Sequence, residues 1–206
     1  KIQFKMDIEF KNSKKPVNYG KALKLLEKRV NEVKKGGREL VWFLEHPTTY
    51  TAGIRYKKEE ILDKSINIVK TNRGGKITLH NPGQKIVYFV LDLNRRKKNI
   101  RNLVREIENI IVEFLKVYKI KSYADKKNIG IWVNKKKIAA IGIRVSRWVA
   151  YHGFSININN NLNDYKKIIP CGLDNEKITS FKKEGKKSSN INKNLKNIFL
   201  KNQFKI

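Results

Sequence analysis

The chain has one cysteine, Cys171, among 206 residues. A lone cysteine cannot close an internal disulfide, so the fold has to rest on its core. The thiol is then either a small buried filler or a reactive group kept in a reducing compartment. Histidine is also scarce, with three residues. Three histidines and one cysteine, without clustered carboxylates, argue against a metal site. No run of eighteen apolar residues exists, which excludes a transmembrane helix. The first residues, KIQFKMDIEF, alternate like a strand and lack the apolar stretch of a signal peptide. Acids are outnumbered: 18 Asp and Glu stand against 47 Lys and Arg, for a net charge of +29. Such a field invites a polyanionic partner. Yet the lysines are spread along the whole chain together with Asn and Ile, as in AT-rich coding sequence. No recognised nucleic-acid motif appears, and no basic face interleaved with aromatics, which argues against a nucleic-acid module.

At 40% hydrophobic residues, the chain can bury a substantial core. Its length fits a single domain over 1–206. Alternation predicts a strand at 2–10, and Pro16 precedes an amphipathic helix over 17–34 that Gly36-Gly37 ends. ELVWFL, 39–44, reads as a buried strand, and EHPTTYTAGIR, 45–55, as a loop at its end. A strand at 66–71 runs into NRGGKITLHNPGQ, 72–84, a turn-rich segment whose Gly74-Gly75 permit close approach of a ligand. Strand 85–93 looks buried on both faces, and helix 99–118 carries a broad apolar stripe. Strands 129–133 and 136–146 meet at Asn134-Lys135, a two-residue hairpin signal with Lys where a type I′ turn prefers Gly. Strand 149–158, a helical turn near 163–168, strand-like ITSF at 178–181, a mobile linker at 182–190 and a helix over 191–204 complete the chain. Mixed strands and helices without strict alternation predict an α+β fold with a mixed β-sheet and flanking helices.

Four segments stand out: EHPTTYTAGIR, NRGGKITLHNPGQ, KIAAIGIRVSRWVAYHGFSINI and PCG. In this order and spacing, over roughly residues 15–181, they closely resemble the lipoyl(octanoyl) transferases. That resemblance implies the fold of biotin and lipoate protein ligases. It also implies transfer of an octanoyl group from octanoyl-acyl carrier protein to a lysine of lipoyl domains, in 2-oxoacid dehydrogenase complexes and the glycine-cleavage H protein. It implies a cytoplasmic enzyme with no cofactor, no metal and no membrane. Matched position by position, Cys171 is the acyl-thioester nucleophile, and Lys137 is the group that favours the thiolate and moves protons. Arg73, Gly74, Gly75, Lys76, Ile77, Thr78, Leu79 and His80 match the glycine-rich substrate loop. Ala140, Ile141 and Gly142, with Gly153, Phe154 and Ser155, match two further segments that line the acyl site. The sequence departs from the usual wording at Lys76, where Gln is common, at Leu79 for Tyr, and at Asn81 for Gly.

The chemistry suits these roles. A free thiol has a pKa of ~8.5, so it needs a cation beside it to become an effective nucleophile at neutral pH. Exchange between thioesters is nearly isoenergetic and needs no ATP, and capture by an amine to give an amide runs downhill. Small residues at 139, 140 and 142 leave room for an acyl chain. His80 and His152 read as pocket lining, while His46 is as readily structural as functional. An ATP-dependent lipoate ligase on the same fold would use Lys137 without needing Cys171. A Cys-His peptidase is a weaker competitor, since no orienting partner motif is visible. The basic charge would speed encounter with acidic carrier and lipoyl domains.

Overall fold

The computed structural model describes residues 7–125, 128–170 and 177–202. Its elements are β1 (Ile8–Asn12), α1 (Tyr19–Lys34), β2 (Glu39–Leu44), β3 (Thr49–Ala52), β4 (Ile68–Lys70), β5 (Ile77–His80) and β6 (Gln84–Asp92). These are followed by α2 (Ile100–Val117), β7 (Tyr123–Ala124), β8 (Ile131–Val133), β9 (Lys136–Ser146), β10 (Val149–Asn157) and α3 (Ile191–Asn202). Seven strands form one sheet in the order β1-β2-β6-β10-β9-β8-β7. Only β1 and β2 run parallel in it; the other neighbours are antiparallel. A smaller sheet, β4-β3-β5, pairs β3 parallel to β4 and antiparallel to β5. This is the α+β, mixed-sheet architecture that the sequence predicts.

The apolar runs of β2 and β6 are continuous because both faces of the large sheet are covered. Leu40, Trp42, Leu44, Ile86, Tyr88 and Val90 pack with Ala22, Leu26, Val30 and Val33 of α1. The alternate residues Val41, Phe43, Val87, Phe89 and Leu91 pack with Leu103, Ile107, Ile110 and Phe114 of α2 and with Leu195 and Phe199 of α3. Each such side chain contributes about 1.5–3 kcal/mol on burial. Asn18 and Asn99 cap the two long helices, their side chains accepting from the N–H groups of Lys21 (3.1 Å) and Asn102 (3.0 Å). A buried bidentate pair, Arg96 on Glu39, ties β2 to the turn after β6.

The structure redraws four of the segments read from the sequence. The loop read at 45–55 contains β3, and the turn-rich segment 72–84 contains β5; each strand has four residues and is flanked by breakers. ITSF does not form a strand: Ile178 makes one isolated bridge to Lys137. The segment 182–190 folds back on ITSF, with the N–H groups of Glu184 and Lys186 donating to the carbonyls of Ser180 and Phe181, both at 2.9 Å.

Candidate active site

The glycine-rich turn between β4 and β5 is built around a buried arginine. The Arg73 guanidinium donates to the Thr51 carbonyl and hydroxyl (both 2.9 Å), to the Lys76 carbonyl (2.9 Å) and to the Gly74 carbonyl (3.0 Å). Both terminal nitrogens of its fork are thus engaged in holding the turn, while the buried Nε has no partner among the described residues. The chain can wrap this closely only because Gly53 has no side chain. A Cβ there would lie 2.4 Å from the Gly75 carbonyl oxygen and 2.7 Å from Arg73 Nη1. The Gly74 N–H donates to the Ile143 carbonyl (3.1 Å), which docks the turn on β9.

Between this turn, β5 and the large sheet lies a cavity of about 50 Å³. Arg73, Gly75, Lys76, Thr78 and His80 line it from one side, and Ala140, Ile141, Gly142, Gly153, Phe154 and Ser155 from the other. Strand alternation divides the predicted loop. Thr78 and His80 face the cavity, whereas Ile77 and Leu79 point into a separate apolar cluster with Tyr50, Tyr165 and Ile168. Gly74 faces the neighbouring larger cavity instead.

The inner end of the small cavity is aromatic, with Tyr19, Tyr88, His80 and His152 lining it and His46 packed behind. Hydrogen bonds fix the histidine tautomers. His46 Nδ1–H donates to the Val17 carbonyl (2.6 Å), so its Nε2 accepts from the Tyr88 hydroxyl (2.9 Å). His80 Nδ1–H donates to Gln84 Oε1 (2.7 Å), whose amide nitrogen is turned to Asn157 and Tyr165. His152 Nε2–H donates to Asn72 Oδ1 (2.8 Å), and its buried Nδ1 has no partner. Burial pushes all three down, His46 to about 4 and His80 and His152 to about 3. The neighbouring Arg73 charge adds to the shift of His80 and His152. The wall is therefore uncharged at neutral pH. His152 is also strained: it holds φ +69° in the middle of β10, a costly conformation for a residue with a side chain.

Lys137 projects from the start of β9 beside this cavity. It is buried, and its carbonyl accepts from the Thr179 N–H (3.0 Å). Its Nζ lies 5.5 Å from the centroid of the Trp132 ring, its cross-strand partner. Gly130 cradles the other side: a Cβ there would stand 2.3 Å from Lys137 Cε and 3.1 Å from Nζ. With Thr78, Ala140, Ser155, Tyr165 and Pro170, Lys137 lines a second small cavity of about 20 Å³. Cys171 lies outside the described residues, but Pro170, to which it is joined, shares this cavity with Lys137. Among the described residues no group of three His, Cys, Asp or Glu could hold a metal ion, and no helix is long and apolar enough to cross a membrane.

Residues 18–202 match the lipoyl protein ligase A/B catalytic domain. The chain belongs to the lipoyl protein ligase A/B catalytic domain family. Relatives of this lipoyl protein ligase A/B domain include an octanoyltransferase of Ehrlichia chaffeensis, 46% identical over 86% of each chain. Another is an octanoyltransferase of the Wolbachia of Brugia malayi, 40% identical over 97% of this chain and 99% of the relative. Solved structures share the fold at low identity. A lipoate-protein ligase A bound with ATP has a TM-score of 0.75 at 14% identity, covering 94% of this chain and 85% of that one. A biotin protein ligase from Leishmania major in complex with biotinyl-5-AMP has a TM-score of 0.56 at 13% identity, covering 96% and 73%.

In this lipoyl protein ligase A/B domain the three positions read above as departures from the usual wording each have a defined place. Lys76 forms an ion pair with the buried Glu60 (2.8 Å). Leu79 faces the apolar cluster. Asn81 donates to the Asn161 carbonyl (2.9 Å) and Asp164 Oδ2 (2.8 Å) and accepts from Asn160 (2.9 Å), joining a buried amide network. Sequence reasoning missed Tyr19, Tyr88, Gly130 and Trp132. The first two hide in apolar patterns, and the signal for the last two is a glycine two residues ahead of a strand tryptophan that faces Lys137.

Proposed function

We propose that this chain is an octanoyltransferase that moves an octanoyl group from octanoyl-acyl carrier protein to a lysine of a lipoyl domain. The acceptors are lipoyl domains of 2-oxoacid dehydrogenase complexes and the glycine-cleavage H protein, and the enzyme works in the cytoplasm, where a catalytic thiol stays reduced. The observation that carries the reading is the meeting of Lys137 and Pro170 in one small cavity that shares Thr78, Ala140 and Ser155 with the neighbouring cavity. Relatives at 40–46% identity bear the same activity in their names.

In the first half-reaction the Cys171 thiolate attacks the octanoyl thioester carbonyl. The tetrahedral intermediate collapses by expelling the carrier thiol, and the acyl chain stays on Cys171. In the second half the acceptor amine attacks that thioester, the amide forms, and the Cys171 sulfur leaves. The amine must lose one proton on attack, and on this reading Lys137 carries it. The Tyr and His wall suits an apolar chain, because that wall holds no charge to be desolvated when the chain enters.

Intact-mass measurement after mixing the protein with octanoyl-loaded carrier protein, without ATP, tests this. We expect a gain of one octanoyl group that hydroxylamine removes and that Cys171→Ser abolishes. An adduct that forms only with free octanoate and ATP would overturn the reading in favour of a ligase.

A further inference from the structure

A third cavity, of about 420 Å³, lies against the middle of β9 on the far side of the glycine-rich turn from Tyr19 and His80. It exists because β8 is short. The β8–β9 pairing ends at Ala139, and beyond it the edge of β9 has no neighbouring strand among the described residues. The Gly74 N–H takes the Ile143 carbonyl on this edge. Ladder alternation turns the N–H and C=O of Ile141 the same way, into the cavity. Val104 of α2 and Ile129 form apolar walls, and Arg55, Lys137 and the Glu60-paired Lys76 supply cationic groups. No Asp or Glu lines it among the described residues. Ala140 borders all three cavities, so the large one opens where the acyl cavity meets Lys137.

We infer that this edge groove holds the prosthetic arm of the acyl donor, with Arg55 taking the arm's phosphodiester. The inference rests on the octanoyltransferase reading above. An acyl carrier protein presents its acyl group on a pantetheine chain, which carries two amides and a phosphodiester and ends in the thioester. Each part has a counterpart in the groove. The amides meet the free main-chain edge at Ile141, the methylenes meet Val104 and Ile129, and the anion meets an exposed guanidinium. The thioester then reaches the junction at Ala140 with its chain directed into the small cavity. Charge decides against the other candidate occupant. The acceptor lysine arrives as a cation, and a groove lined by three cationic side chains and no acid repels it.

The experiment compares octanoyl-phosphopantetheine with octanoyl-pantetheine as donors for the full chain, using Arg55→Gln and the wild type. We expect Arg55→Gln to raise KM about tenfold for the phosphorylated thioester, with kcat and the acceptor KM unchanged, and to leave the dephosphorylated thioester unaffected. Val104→Trp, which fills the groove from α2, lowers kcat/KM for both thioesters at an unchanged melting temperature. An equal effect of Arg55→Gln on both thioesters overturns the phosphate assignment, as does a rise confined to the acceptor KM. If the wild type uses no octanoyl thioester at all, the octanoyltransferase reading fails. If it does use them and both variants behave as wild type, only the groove assignment falls.

Discussion

At the scale of single residues, the lysine is held more tightly than the apolar chemistry around it requires. Lys137 is confined between the Trp132 ring and the bare Cα of Gly130. A methyl group at 130 would push the ammonium out of place, and displacement of a reacting group by about 1 Å can cost a factor of 100. We therefore expect Gly130→Ala to lower kcat for octanoyl transfer about 100-fold. Gly130 also sits at φ +137°, so a thermal melt must accompany the assay. Trp132→Leu gives the cleaner comparison. It should reduce kcat about tenfold while Trp132→Phe stays within about threefold, because the ring face and not the indole bulk meets the ammonium. Full activity in Trp132→Leu would show that the contact is merely packing. In the sequence, the KIAAIG wording distinguishes Lys137 from Lys135 and Lys136. The Trp132 contact is not legible there, because it depends on cross-strand register that a sequence does not state.

At the scale of elements, the hairpins explain which strands could be read and which could not. β8–β9 turns through Asn134 and Lys135, both at positive φ, and β9–β10 through Arg147 and Trp148, also both at positive φ. The first turn was legible from Asn134, which tolerates that region. The second has no turn residue at all, and it forms because eight residues of ladder on either side over-determine it. Lys135→Gly relieves the left-handed strain of about 1–2 kcal/mol against a glycine entropy cost of about 0.5–1. The expected net gain is about 0.5–1 kcal/mol in denaturant unfolding, with transfer activity unchanged. β3 and β5 escaped reading for the opposite reason. ITLH does alternate, but four residues between Gly-Gly and Pro-Gly breakers look like part of a turn. Only pairing of Thr49–Ala52 with Ile77–His80 makes them strands. That pairing is what aims Thr78 and His80 at the cavity.

At the scale of the whole molecule, the three histidines make stability depend on acid. Above pH 6.5 they are neutral whether the chain is folded or not. Below it the unfolded chain takes up protons that the folded one refuses until about pH 4 for His46 and about 3 for His80 and His152. Stability therefore falls as pH drops through 6.5. Between pH 7.5 and 5.5 each histidine removes up to about 1.4 kcal/mol, roughly 4 for the three. Unfolding curves in urea at the two pH values measure this directly, and equal midpoints would refute it.

The uncovered edge of β9 has a further consequence, for colloidal behaviour. A sheet edge that can receive a substrate's amides can equally receive a strand from another copy of the same chain, and such edges seed aggregation. Among the described residues no strand pairs with that stretch beyond Ala139, and no proline lies in it. What keeps copies apart is the +29 charge, which makes each collision between like molecules repulsive. The lysine excess is then the counterweight to an open sheet edge.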